Sequence, residues 1–174
     1  MAQETRNAYG EKLAELIVKD KNIVVLDADL TKSTKTIDAK KACPDRHFNA
    51  GIAEANMMGM AAGLAASGKT VFASSFAIFA SGRAWEIIRN SICYPKLNVK
   101  VCATHAGLSV GEDGASHQAL EDISLMRGLP GMQVIVPSDC AEMNAAVKYA
   151  AKHYGPVYIR VPRTNVPDVF EEGH

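Results

Sequence analysis

Short apolar runs rich in β-branched residues alternate with segments whose apolar positions recur at helical spacing. Ile23-Val24-Val25-Leu26, Thr70-Val71-Phe72-Ala73, Val99-Lys100-Val101-Cys102-Ala103, Gln133-Val134-Ile135-Val136 and Val157-Tyr158-Ile159-Arg160 read as strands. Helices are predicted from roughly Thr5 to Lys19 on the spacing of Ala8, Leu13, Leu16 and Ile17, and from Glu54 to Ala66. Three more are expected: one through Trp85 to Ile92, one beginning near Ala119, and one capped by Ser138 or Asp139 that runs to about His153. Strands apolar on both faces and separated by helices predict an α/β fold of three layers, α/β/α, around a mostly parallel sheet. With no internal repeat and no linker, residues 1–174 read as a single domain.

One helix breaks its own pattern. Gly51-Ile52-Ala53-Glu54-Ala55-Asn56-Met57-Met58-Gly59-Met60 puts a carboxylate in the first turn of a small, apolar helix whose composition reads as buried all round. The plain reading is a carboxylate favouring the helix N-terminus. The functional one is a buried acid with no evident partner, a type that concentrates at active sites.

Composition narrows the classes. The 174 residues are 48% hydrophobic and 22% charged, with Lys plus Arg and Asp plus Glu balanced at 19 each. Without a block of like charge, nothing predicts binding to nucleic acid or an anionic membrane. Cys43, Cys93, Cys102 and Cys140 form no C-x-x-C pair and read as reduced thiols. No basic-then-apolar leader or membrane-length apolar run occurs, so a cytoplasmic location is expected.

The long irregular segment Thr104 to Gln118 is glycine-rich, carries His105 and His117 near its ends, and follows a predicted strand, where α/β folds bind ligands. Within it, Gly107-Leu108-Ser109-Val110-Gly111 matches G-x-S-x-G, but a nucleophile elbow needs a helix directly after Ser109, and Gly111-Glu112-Asp113-Gly114 prolongs the loop instead. His117 and Glu121 lie one helical turn apart, but no third metal ligand is signalled. G-x-G-x-x-G and Walker A patterns are absent. Phe76 and Phe79 read either as core or as an aromatic platform just beyond a strand.

Several of these pieces occur together in one family. Asp29-Leu30-Thr31-Lys32-Ser33, Gly51-Ile52-Ala53-Glu54, Phe76-Ala77-Ile78-Phe79, Thr104-His105, Gly111-Glu112-Asp113-Gly114-Ala115-Ser116-His117-Gln118 and Pro137-Ser138-Asp139 follow the order found in transketolases. From about residue 5 to about residue 167 the chain resembles the pyrimidine-binding domain of a thiamine-diphosphate-dependent transketolase; deoxyxylulose-phosphate synthase has a related domain.

The resemblance implies a six-stranded, mostly parallel sheet and a cofactor held between two domains. One domain takes the aminopyrimidine, and the other takes the diphosphate through Mg²⁺ with a Gly-Asp-Gly element that this chain lacks. It assigns Glu54 to the pyrimidine ring nitrogen, where proton sharing promotes the tautomer that activates the cofactor. Phe79 would stack on the pyrimidine and Phe76 would line the pocket. His105 and His117 would face the sugar's reacting oxygens, and Asp113 would bind a hydroxyl. Ser33, His105 and Arg163 would meet the acceptor phosphate. Each has a plainer role available: Ser33 and Arg163 as solvated groups, the histidines as loop-ordering hydrogen-bonders. Gly82 departs from the family, where that position is usually aromatic.

The expected activity is transfer of a two-carbon ketol unit between ketose and aldose phosphates, as in the pentose phosphate pathway. The chain would work in a homodimer and with a diphosphate-binding subunit or domain, and would be inactive alone. It stops at Glu171-Glu172-Gly173-His174, where a smaller C-terminal domain would follow in the family, so such a domain is expected to have been left off. Two other classes stand beside this reading: a binding module that kept the fold but not the catalysis, and a serine hydrolase using Ser109.

Overall fold

In the computed structural model, residues 3–171 are described; Met1, Ala2 and the last three residues, on which part of the terminal readings fell, lie outside them. In chain order the strands are β1 (Gln3–Glu4), β2 (Ile23–Asp27), β3 (His47–Asn49), β4 (Thr70–Phe76), β5 (Val99–Thr104), β6 (Gln133–Ile135), β7 (Val157–Arg160) and β8 (Asn165–Val166). The helices are α1 (Thr5–Lys19), α2 (Ile37–Ala42), α3 (Glu54–Ala66), α4 (Trp85–Ile87), α5 (Asp122–Arg127) and α6 (Cys140–Lys152). π-Helical stretches at Phe79–Arg83 and Ile88–Cys93 flank α4.

Six strands form one parallel sheet in the order β3-β2-β4-β5-β7-β6. Short β1 pairs antiparallel with β8, tying the two ends of the described chain together. Strand pleating sends alternate side chains to opposite faces. Val71, Ala73, Val101 and Tyr158 therefore join Met57, Met58, Ala61 and Ala65 of α3 and Ile88, Ile92 and Met126 in one core layer. Phe72, Cys102, Val157 and Ile159 meet Tyr9, Leu13 and Ile17 of α1 and Met143, Val147 and Ala150 of α6 in the other. This is the three-layer α/β/α arrangement that the alternation predicts.

The structure corrects several local expectations. α3 is not buried all round: Ala55, Asn56, Gly59, Met60, Gly63 and Ala66 are exposed, with Phe48 and Ile52 beside them on the surface. α5 starts at Asp122 rather than Ala119, because Ala119 is tied back to Ala106 by a β-bridge. Glu121 sits outside the helix, so it shares no helical face with His117, and Ser109 lies in a single 3-10 turn, Leu108–Val110. Among the described residues no helix is long and apolar enough to cross a membrane.

Candidate functional site

The parallel sheet gathers the predicted residues because every strand ends on the same side. β2 ends at Asp27, β3 at Asn49, β4 at Phe76, β5 at Thr104 and β7 at Arg160, and the site is made by the loops that follow.

Glu54 is placed by a tight turn. Asn49 Oδ1 accepts from the backbone of Gly51 at 2.9 Å and of Asp29 at 3.0 Å, while Asn49 Nδ2 donates to Asp29 Oδ1 at 3.1 Å. Gly51 turns with a φ of 74°, open to glycine without strain, and Ala53 N donates back to Gly51 O at 2.8 Å. The chain then enters α3 at Glu54, which is only 4% exposed. The sequence showed no partner for this acid, but the structure supplies one. Arg83 Nη1 stands 3.5 Å from Glu54 Oε2, and the Arg83 guanidinium lies over the Phe79 ring at 4.5 Å.

Four rings adjoin this pair. Phe76 and Phe79 are near-parallel with centroids 6.0 Å apart, His117 meets Phe79 edge-on at 5.3 Å, and His105 stacks on Phe76 at 3.9 Å. The His105 Nδ1 shares a hydrogen bond with the Thr104 hydroxyl at 3.0 Å. Burial, then the positive charges of Arg6 and Arg163, push the imidazole down to about 4, so it is neutral at neutral pH. His105 has a φ of 59°, unusual for a residue with a Cβ; such strain persists only where the surroundings enforce it.

The other predicted residues divide. Arg163 Nη1 donates to Val110 O, and its Nη2 lies 3.7 Å from Glu112, so Arg163 braces the loop containing Asp113. Asp113 is exposed, and its charge acts on His105. Ser33 lines an open polar hollow with Asp29, Thr31, Lys32 and Lys40. The structure thus joins Glu54, Phe76, Phe79, His105 and His117 in one cluster, with Ser33, Asp113 and Arg163 in the flanking loops.

Sequence reasoning missed Arg6, Asp27 and Arg83. Glu4 grips Arg6 with both oxygens at 2.7 and 3.0 Å, and Arg6 Nη1 reaches Ser33 O at 3.4 Å. Buried Asp27 organises the Ser33 loop by accepting from Leu30 N and from the hydroxyls of Thr31, Thr34 and Thr36 at 2.6–3.2 Å. Buried Asp27 in an otherwise apolar strand was a legible signal; the pairing of Arg83 was not.

Chemically, the cluster offers a buried carboxyl, aromatic faces and a neutral imidazole, a set suited to a flat heterocycle with a ring nitrogen. That is a fit for an aminopyrimidine. Among the described residues no group of three or more His, Cys, Asp or Glu is placed to hold a metal ion. A doubly wound α/β domain with such a cluster at its strand ends places it where folds of this class bind ligands.

A family model described as "Transketolase, pyrimidine binding domain" matches residues 1–169, and the chain belongs to that family. It is 59% identical over 166 residues to a putative transketolase C-terminal section from Methanocaldococcus jannaschii, covering 95% of this chain and 52% of that protein. It is 43% identical over 158 residues to a 6-deoxy-6-sulfo-D-fructose transketolase subunit from Clostridium, covering 91% and 49%. A solved structure titled "Split gene transketolase, inactive beta4 tetramer" superposes with a TM-score of 0.90 at 61% identity, covering all of this chain and 56% of that one. The chain therefore spans about half the length of these relatives.

Proposed function

We propose that this chain forms the pyrimidine-binding half of a thiamine-diphosphate-dependent transketolase that moves a two-carbon ketol unit between sugar phosphates. The observation that carries this is the buried Glu54 carboxyl at the start of α3, linked through Arg83 to the Phe79 ring and so to Phe76, His105 and His117.

Bound thiamine diphosphate would supply the carbon nucleophile and electron sink, chemistry that belongs to the cofactor. Glu54 hydrogen-bonds the pyrimidine ring nitrogen and shares a proton there, and a partly desolvated carboxyl suits that task. Phe79 gives the ring a face, and Phe76 closes the side nearest His105. His117 and the neutral His105 exchange hydrogen bonds and protons with the sugar's reacting oxygens, while Asp113 fixes a hydroxyl. Ser33 and Arg163 receive the acceptor phosphate with His105; arginine favours phosphate through forked, charge-assisted bonds. Mg²⁺ and the diphosphate fall to the partner half, so the chain alone is inactive and works in a homodimer. The split-gene relative whose title calls it an inactive tetramer supports the inactivity of the chain alone.

The test is ketol transfer by the full-length protein mixed with a diphosphate-binding subunit, thiamine diphosphate and Mg²⁺. Xylulose 5-phosphate and ribose 5-phosphate are the first pair. Sulfofructose and apulose 4-phosphate belong in the panel because relatives carry those names. Activity should appear only in the mixture and vanish with Glu54→Ala while the circular dichroism spectrum stays native. An active Glu54→Ala variant would refute the assignment.

A further inference from the structure

Arg83 stands at both points where a pyrimidine would be held. Its Nη1 is 3.5 Å from the Glu54 carboxylate, and its guanidinium covers the Phe79 ring at 4.5 Å. The π-helical stretch Phe79–Arg83 brings the two side chains together across one turn. A heterocycle that hydrogen-bonds Glu54 and stacks on Phe79 thus meets the same guanidinium twice.

We propose that Arg83 is a displaceable occupant of the pyrimidine seat, a positioning residue that holds Glu54 and shields Phe79 until the cofactor ring replaces it. The proposal rests on the function proposed above. A nearly buried carboxylate without a partner is strongly unfavourable. Arg83 meets that need, and the ring nitrogen later takes it over.

The geometry favours exchange over permanent binding. The Arg83 side chain is 59% exposed, so solvent weakens the ion pair. Beside it, a Cβ built on Gly82 would meet nothing within 4 Å. Glycine at position 82 thus puts no side chain next to Arg83, and a large side chain there would.

Isothermal titration of the complete enzyme with thiamine diphosphate at saturating Mg²⁺ tests this. Arg83→Gln should tighten the apparent Kd by about three- to tenfold, the worth of one exposed ion pair and one cation–π contact, and should speed association. Arg83→Lys, which keeps the charge but not the flat face, should fall between. In a Glu54→Gln background, the gain from Arg83→Gln should shrink, because one of its two contacts is already weakened. An unchanged or weaker Kd in Arg83→Gln, with native thermal unfolding, would make Arg83 a wall of the pocket and overturn the proposal. A wild-type enzyme that shows no binding would instead overturn the cofactor reading, and this proposal with it.

Discussion

The imidazole of His105 lies against the Phe76 ring with centroids 3.9 Å apart and planes 24° from parallel. The contact joins the end of β5 to the end of β4 and withdraws a titratable ring from water. It therefore has a pH consequence. Burial, aided by Arg6 and Arg163, holds His105 at about 4 when folded, against about 6.5 in an open chain. Between those values the unfolded chain takes up a proton that the folded chain does not, so stability falls as pH drops through about 6.5 and levels off below about 4. The full loss from this group is at most about 3–4 kcal/mol. Urea unfolding from pH 7.5 to 4 should show the decline, and His105→Asn should flatten it. His47, also lowered by burial, adds a slope of the same sign in both proteins. An identical slope in the variant would mean that His105 is protonated in the folded state.

Asp27 is the anchor of the Ser33 loop. It is fully buried, and its two oxygens receive one backbone N–H and three threonine hydroxyls. Asp27→Ala strands the Leu30 N–H and the Thr31 hydroxyl and leaves Thr34 and Thr36 to their backbone acceptors, Leu30 O and Thr31 O, a loss on the order of 3 kcal/mol. Limited proteolysis should then cut within residues 29–36, whereas Ser33→Ala, which removes none of these bonds, should leave both midpoint and cleavage unchanged.

Lys100 is fully buried, and among the described residues it has no carboxylate partner. Its Nζ donates to Asn98 Oδ1, His153 O and Gly155 O at 2.6–2.7 Å, closing the turn between α6 and β7 onto β5. Lys100→Met conserves most of the volume but leaves the carbonyls of His153 and Gly155 unmet and Asn98 Oδ1 with only the longer bond from Gly155 N at 3.4 Å, so it should destabilise by about 2–4 kcal/mol. A neutral or stabilising result in chemical denaturation would show that water or a local shift replaces the ammonium.

What the sequence revealed follows the range of each interaction. α1 was legible because Ala8, Leu13 and Ile17 repeat at helical spacing and are buried. The long strands were legible because both faces are apolar. β3 was missed as a segment because only His47 of its three residues is buried, so it carries neither an apolar run nor an alternation. The short pair β1 and β8 depends on contact between distant ends of the chain. At the site, Glu54, Phe76, Phe79, His105 and His117 stood out by residue type and by position after strands. Arg83 did not, since its meeting with Glu54 arises from a π-helical turn and from packing across residues far apart in sequence.

The neck of the 104–118 loop offers the clearest separation of positioning from chemistry. Asp122 Oδ2 accepts from Tyr158 OH and from Arg160 Nε, both at 2.8 Å, at the first residue of α5. Arg160 Nη2 in turn reaches Ala119 O at 3.5 Å, and Gly107 N donates to the same carbonyl at 3.0 Å. One carboxylate thus fixes the arginine that closes the loop's base, and the loop carries His117 to the Phe79 edge. Asp122→Ala leaves a largely buried guanidinium without its counter-charge and should cost about 3–5 kcal/mol. Tyr158→Phe removes one hydrogen bond to the carboxylate and leaves the ion pair, and should cost about 1.5–3 kcal/mol. Amide hydrogen exchange should separate the two. Asp122→Ala should accelerate exchange at Gly107 and through residues 111–118 beyond the general loss of protection in α6, whereas Tyr158→Phe should leave the loop as slow as in the wild type. Equal acceleration in both variants would place the loop's anchor at the tyrosine rather than at the ion pair, since Tyr158→Phe keeps Asp122 and Arg160 intact.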